Sequence, residues 1–171
     1  DEIRNGSLAA DCLWRQGCRR FFCISGPDSM PSSTERLRGF CQRLRELGAD
    51  EPSWSFGEYT YASGLERAKQ LLPQVTRERC GIFCGNDLIG MGALDALRNA
   101  GISVPQQCAV VGFDDIEQSS WSAYRLSSMR FPVEEMIDIA LNYLTGDREH
   151  FSGCHRFLCR LIERESTLGA P

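Results

Sequence analysis

Cys108-Ala109-Val110-Val111-Gly112-Phe113-Asp114-Asp115 is the stretch on which the fold turns. Its first six residues carry no charge and read as a strand buried on both faces, as in a parallel strand covered by helices on each side. Two carboxylates stand immediately beyond its carboxyl end. In open parallel sheets, ligands bind outside those ends, where the loops before the following helices converge.

Working outward, apolar periodicity alternates between the two periods of an α/β chain. Upstream, Cys80 to Cys84 reads as a second buried strand, followed by Gly85-Asn86-Asp87 and a helix from Leu88 to Ala100 that Gly101 ends. Earlier still, Arg20 to Ser25 reads as a strand that stops at Gly26-Pro27. Ser32-Ser33-Thr34-Glu35 offers N-caps for a helix with Leu37, Phe40, Cys41, Leu44 and Leu47 on one stripe. A helix from Ser7 to Gly17, a strand at Trp54 to Gly57 and a helix from Ala62 to Leu72 complete the first half. Downstream the rhythm changes. Tyr124 to Phe131 is semi-extended, and Pro132 starts a helix expected to turn Val133, Met136, Ile137, Ala140, Leu141 and Leu144 inward. Gly146 to Gly153 reads as a surface loop and Arg156 to Ile162 as a final strand.

Composition bounds the function. The 171 residues hold 19 Lys+Arg against 23 Asp+Glu, a net charge of −4, which argues against a free-standing nucleic-acid-binding domain. Hydrophobic residues at 42% and charged residues at 25% fit one folded domain or two small ones. No apolar run is long enough to span a bilayer, and no leader pattern opens the chain. It begins at Asp1, without Met, at the approach to a helix, so the natural start is expected upstream. Nine cysteines lie mostly in apolar segments, where a free thiol acts as a small hydrophobe, and a reducing cytoplasm is their simplest setting. Cys80-x3-Cys84 and Cys154-x4-Cys159 lack the two-residue gap of zinc knuckles.

Three strand-end loops carry polar groups: residues 28–36, 85–87 and 114–115. Asp114 with Asp115 is read either as a phosphoacceptor or magnesium pair, or as one ligand-binding carboxylate beside one helix cap. The absence of a lysine at a nearby strand end favours the second. Asp87 suits an N-cap, and Asn86 suits either a cap or a ligand contact. Arg36 sits on a first helical turn beside the same cleft, where its planar fork suits hydroxyls or carboxylates; the alternative is a solvated surface residue. Trp54, Tyr59, Tyr61, Trp121 and Tyr124 could be stacking platforms or core. Gly90-x-Gly92 falls inside a helix and serves close packing on the sheet better than a dinucleotide. His150 and His155 lie away from the cleft loops, and with no nucleophile elbow, metal helix or phosphate loop, neither enzymatic chemistry nor a bound cofactor or metal finds support.

Assembled, these segments resemble the lactose/galactose/purine repressor type of bacterial transcription regulator. The resemblance runs from Asp1 to Pro171. Residues 83–94 (FCGNDLIGMGAL), 101–105 (GISVP) and 109–115 (AVVGFDD) carry its most specific part, with 129–136 (MRFPVEEM) and 161–167 (LIEREST) matching a crossover and a closing strand. It implies a doubly wound parallel α/β sheet of the type I periplasmic-binding-protein kind, truncated at the N-terminus. Residues 1–126 would be the C-terminal subdomain of an effector-binding core. Residues 127–153 would be the crossover and a helix of the N-terminal subdomain, and 154–171 the return strand and tail.

The resemblance further implies a sugar or sugar-phosphate effector that alters operator affinity. Operator DNA would be held by an N-terminal helix-turn-helix outside this chain, in a cytoplasmic homodimer without membrane contact. Family ligand positions fall on Asp114 as polar anchor, Arg36 as its bidentate neighbour, Asn86, Met30 and Ser32, with Tyr59 as stacking ring and Asn5 near the crossover. Met30 stands where some purine-sensing members place a polar residue, which favours a sugar. Two rivals are a periplasmic sugar-binding protein of a transporter, against which the cysteines argue, and a phospho-accepting receiver domain built on Asp114.

Overall fold

The computed structural model describes residues 1–75, 78–145 and 154–168; the expected loop at 146–153 lies outside its described part. The elements are α1 (Glu2–Arg15), β1 (Arg20–Ile24), α2 (Pro31–Glu46), β2 (Ser53–Ser55), α3 (Tyr61–Leu71), β3 (Cys80–Cys84), α4 (Asp87–Asn99), β4 (Cys108–Phe113), β5 (Ser127–Arg130), α5 (Val133–Thr145), β6 (Arg160–Ile162) and α6 (Glu165–Leu168). They form one sheet in the order β2-β1-β3-β4-β5-β6. The first five strands are parallel, and β6 joins β5 antiparallel, with Met129 opposite Leu161.

Strand alternation sorts the core onto two faces. Phe21, Cys23, Phe83, Ala109, Val111 and Phe113 pack against α1 and α2, while Phe22, Ile24, Ile82, Cys84, Cys108 and Val110 pack against α3 and α4. Because both neighbours of every central residue are buried, the strands read as continuous apolar runs. Seven of the nine cysteines are buried, four of them in these strands, and all nine are free thiols.

The helix pairs on each face meet at glycine. A Cβ on Gly6 would lie 2.1 Å from the Arg36 carbonyl oxygen, and one on Gly39 would lie 1.9 Å from that of Ile3, so α1 and α2 cross with their backbones in contact. On the other face a Cβ on Gly92 would fall 2.3 Å from the Tyr61 carbonyl oxygen. Gly92 therefore serves packing of α4 on α3, not on the sheet, and Gly90 faces the Leu126 side chain.

Several expectations need correction. Helix α1 starts five residues before Ser7, because Asp1 caps it by accepting from the Arg4 amide. Helix α2 starts at Pro31 with Met30 as a cap that makes no side-chain bond, so the Ser32–Glu35 run lies inside the helix rather than ahead of it. The expected strand at 54–57 is the shorter β2, and the final strand shrinks to β6. No residue of α5 is buried; Val133, Met136, Ile137, Leu141 and Leu144 face solvent. The sheet faces are already covered by the two helix pairs, so α5 finds no apolar layer among the described residues to lie on.

Candidate ligand cleft

The loops after β1, β3 and β4 converge at one edge of the sheet, as the parallel topology requires. Arg36 is their centre. It rises from the second turn of α2 with a side chain only 8% exposed, and its guanidinium carbon stands 3.5 Å from the centroid of the Phe113 ring, close enough for cation–π attraction. Its Nε donates to Glu2 Oε2 at 2.5 Å, its Nη2 to Glu2 Oε1 at 3.3 Å, and its Nη1 to the Gly85 carbonyl at 2.8 Å. Three of its five N–H bonds are thus used, and one on each Nη remains.

Asp114 and Asp115 follow β4 with φ of 103° and 53°, two successive non-glycine residues in the left-handed region. Such strain collects where surrounding structure over-determines a functional turn. Asp114 keeps a solvent-exposed edge, yet protein crowds its carboxyl enough that lost hydration raises its pKa to about 6. Arg36 opposes that shift, and Asp87 and Glu2 add to it. Asp115 is no helix cap. Its side chain is 1% exposed, with Oδ2 accepting from Arg130 Nε at 2.5 Å and Oδ1 lying 2.7 Å from Arg164 Nη1, off that group's N–H direction. Its carboxylate joins the ends of β4 and β5 to the segment that follows β6.

Asn86, rather than Asp87, is the N-cap of α4: its Oδ1 accepts from the Ile89 amide at 2.9 Å, and its Nδ2 donates to the Tyr59 carbonyl at 3.4 Å. Asp87 is buried and accepts from the Ile116 amide and the Ser119 and Ser128 hydroxyls at 2.8, 2.7 and 2.6 Å. Burial raises its pKa against those three bonds. The ring of Tyr59 lies on Gly26, where a Cβ would come within 2.2 Å of it, and its hydroxyl bonds Ser33 Oγ at 2.7 Å and touches Ser32 Oγ at 3.5 Å. One face of that ring is therefore taken. Met30 is exposed at the loop's rim. Asn5 stands apart: it is buried on α1, and its Oδ1 accepts from the Cys159 amide, tying the return segment to the helix.

The structure thus gathers Arg36 with Asp114, and Tyr59 with Ser32 and Asn86, around the same strand ends. It adds Glu2, Phe113, Ser33 and Gly26. Glu2 is hidden in the sequence because the apolar periodicity begins at Ser7 and leaves it outside any element; Asp1 as a cap places it on a first turn. Trp54 and Trp121 are half-exposed, and Trp54 meets Phe56 edge to face. Tyr61 bonds Asp95, and Tyr124 packs on the α3/α4 core.

Beside this cleft two cavities open. One of about 480 Å³ is bordered by Asp114, Asp115, Arg130 and the start of α5. The other, about 500 Å³, lies between the start of α1 and residues 154–157.

A family model described as Periplasmic binding protein-like domain matches residues 10–167. The HTH-type transcriptional repressor CytR of Escherichia coli (strain K12) is 31% identical over all of this chain and 51% of its own length. The chain thus spans about half the length of such relatives. Among solved structures, a sugar-binding transcriptional regulator of the LacI family from Escherichia coli, complexed with phosphate, superposes with a TM-score of 0.85 at 32% identity, over 100% of this chain and 62% of that one. The transcriptional regulator CelR in complex with cellobiose gives 0.82 at 32% identity, over 97% and 52%. This chain belongs to the periplasmic-binding-protein-like domain family, in the branch carried by LacI-type regulators.

Proposed function

We propose that this chain is the effector-sensing part of a LacI-type transcriptional regulator, binding a sugar-like molecule at the ends of β1, β3 and β4. The observation that carries this reading is Arg36, which is held rigidly beside Asp114 with two N–H bonds unspent. Asp114 accepts from ligand hydroxyls, Arg36 donates to ring or hydroxyl oxygens, and Tyr59, Ser32, Asn86 and Met30 form the opposite rim. Asn5 ties the return segment to α1 behind the site. The relatives' names place DNA binding in a helix-turn-helix, which here would lie in residues beyond this chain. Ligand closing the cleft would then shift the two states of a homodimer that differ in operator affinity, by its differential affinity for them. Binding rather than catalysis is the work this reading gives the cleft, in the cytoplasm where operator DNA resides.

The test uses the full-length protein. A neutral sugar that raises its melting temperature is titrated calorimetrically into Asp114→Ala and Arg36→Ala. Each loses charge-assisted hydrogen bonds of about 1–3 kcal/mol, roughly 5- to 150-fold in affinity. Unchanged affinity in both variants refutes the assignment.

A further inference from the structure

We infer that Glu2 sets the charge selectivity of this cleft, so that it accepts neutral, hydroxyl-rich ligands and rejects phosphorylated ones. The inference rests on the effector reading of the site and narrows its ligand class. A buried arginine at a strand end would ordinarily be an anion trap, because its planar fork matches phosphate oxygens two at a time. Here Glu2 occupies one edge of that fork with both carboxylate oxygens, and the Gly85 carbonyl takes a third N–H. The guanidinium is thereby neutralised in place, and its two remaining N–H bonds present donors without net charge.

The surroundings add negative charge. Asp114 feels Arg36 against Asp87 and Glu2, one cation against two carboxylates, and is itself mostly ionised at neutral pH. The adjoining cavity at the start of α5 holds Asp114, Asp115, Glu134 and Glu135 against Arg130 and Arg160. Asp115 already pairs with Arg130, so that cavity too gives a phosphate no excess of cations. A phosphate entering beside Arg36 would stand next to two fixed carboxylates in a partly desolvated site, where like charges repel strongly. A sugar hydroxyl meets the opposite situation, with carboxylate acceptors and guanidinium donors both within reach and no charge to desolvate.

The experiment titrates inorganic phosphate, then glucose, ribose and galactose beside their phosphate esters, into the full-length protein and three variants. In Glu2→Gln the arginine loses its counter-charge, and phosphate affinity should rise at least tenfold. Glu2→Asp, which keeps the carboxylate, should exclude phosphate as the parent does. Glu51→Gln, which removes a charge at the exposed Arg45 pair, should leave phosphate affinity unchanged. Circular dichroism checks that each variant is folded. The inference is overturned if Glu2→Gln binds phosphate no better than the parent, if Glu51→Gln gains as much, or if the parent prefers an ester to its neutral sugar. In that last case the effector reading stands while the selectivity falls. Failure of every sugar and ester to bind the parent would count against the effector reading, and the phosphate titration would still decide the role of Glu2.

Discussion

Replacing Asp87 by alanine should cost more stability than any other single change at the strand ends. The carboxylate is buried and accepts three hydrogen bonds, from the Ile116 amide and from the hydroxyls of Ser119 and Ser128, both fully buried. Removing the acceptor strands one amide and two hydroxyls away from water. Each stranded group costs about 1–3 kcal/mol, and hydroxyls that can rotate toward another acceptor fall at the lower end. The expected loss is about 3–5 kcal/mol, a large share of the roughly 5–15 kcal/mol that holds a domain together. At roughly 2–4 °C per kcal/mol for a chain of this size, the melting temperature should drop by about 6–20 °C. Asp87→Asn should lose only about 1–2 kcal/mol. Its oxygen can keep the bonds from Ile116 and Ser119 while its amide donates to the Ser128 oxygen. Urea unfolding of the parent and both variants, with the slope constant, gives the comparison. A loss below about 1 kcal/mol in Asp87→Ala would show that the network does not hold the β4 and β5 loops.

Two further outcomes follow from the same geometry. Gly39→Ala should destabilise by about 1–3 kcal/mol in thermal melts despite alanine's better helix propensity, because its Cβ would sit 1.9 Å from the Ile3 carbonyl oxygen and push α1 from α2; a raised melting temperature would contradict that crossing. Asp114, with its folded pKa raised from 3.8 to about 6, holds a proton in the folded state where the unfolded chain has lost it. Its contribution is therefore complete below about pH 4 and disappears as pH rises through about 6, and Asp114→Asn should flatten the stability profile over that window; superimposable profiles for parent and variant would exclude the shift.

The sheet and its helices are legible because β3 and β4 are apolar throughout and the loops after them begin with glycine and with a carboxylate. Cys80 to Cys84 and Cys108 to Phe113 announced both faces of the core by having no polar alternation at all. Local patterning failed where an element depends on distant partners. The start of α1 carries few apolar residues, and its support comes from the close approach of Gly6 to the Arg36 backbone and of Gly39 to the Ile3 backbone, and from the Glu2 pair with Arg36. Asn86 rather than Asp87 caps α4 for a similar reason. Either could cap a helix, and only the arrival of Ser119, and of Ser128 on β5, decides which carboxamide or carboxylate turns inward. In α5 the helical period is legible, and the resemblance, which assigns this helix to the N-terminal subdomain, implies an apolar face short of its partner; periodicity marks such a face without saying what covers it.

The cleft shows why its decisive residue was the hardest to see. Arg36 can be singled out from one segment as a candidate, because it stands on the first turns of a helix after a strand-end loop, although a solvated surface arginine has the same spacing. Its chemistry, however, is set by Glu2, 34 residues earlier and on a different helix, through a bond that exists only once Gly6 and Gly39 let the two backbones touch. The same close crossing that stabilises one face of the sheet therefore places a carboxylate on the arginine's fork and fixes whether the site reads charge or hydroxyls. Separating the helices by even one methyl group at Gly39 would loosen that pairing along with the packing, so stability and ligand selectivity should decline together in that variant rather than independently.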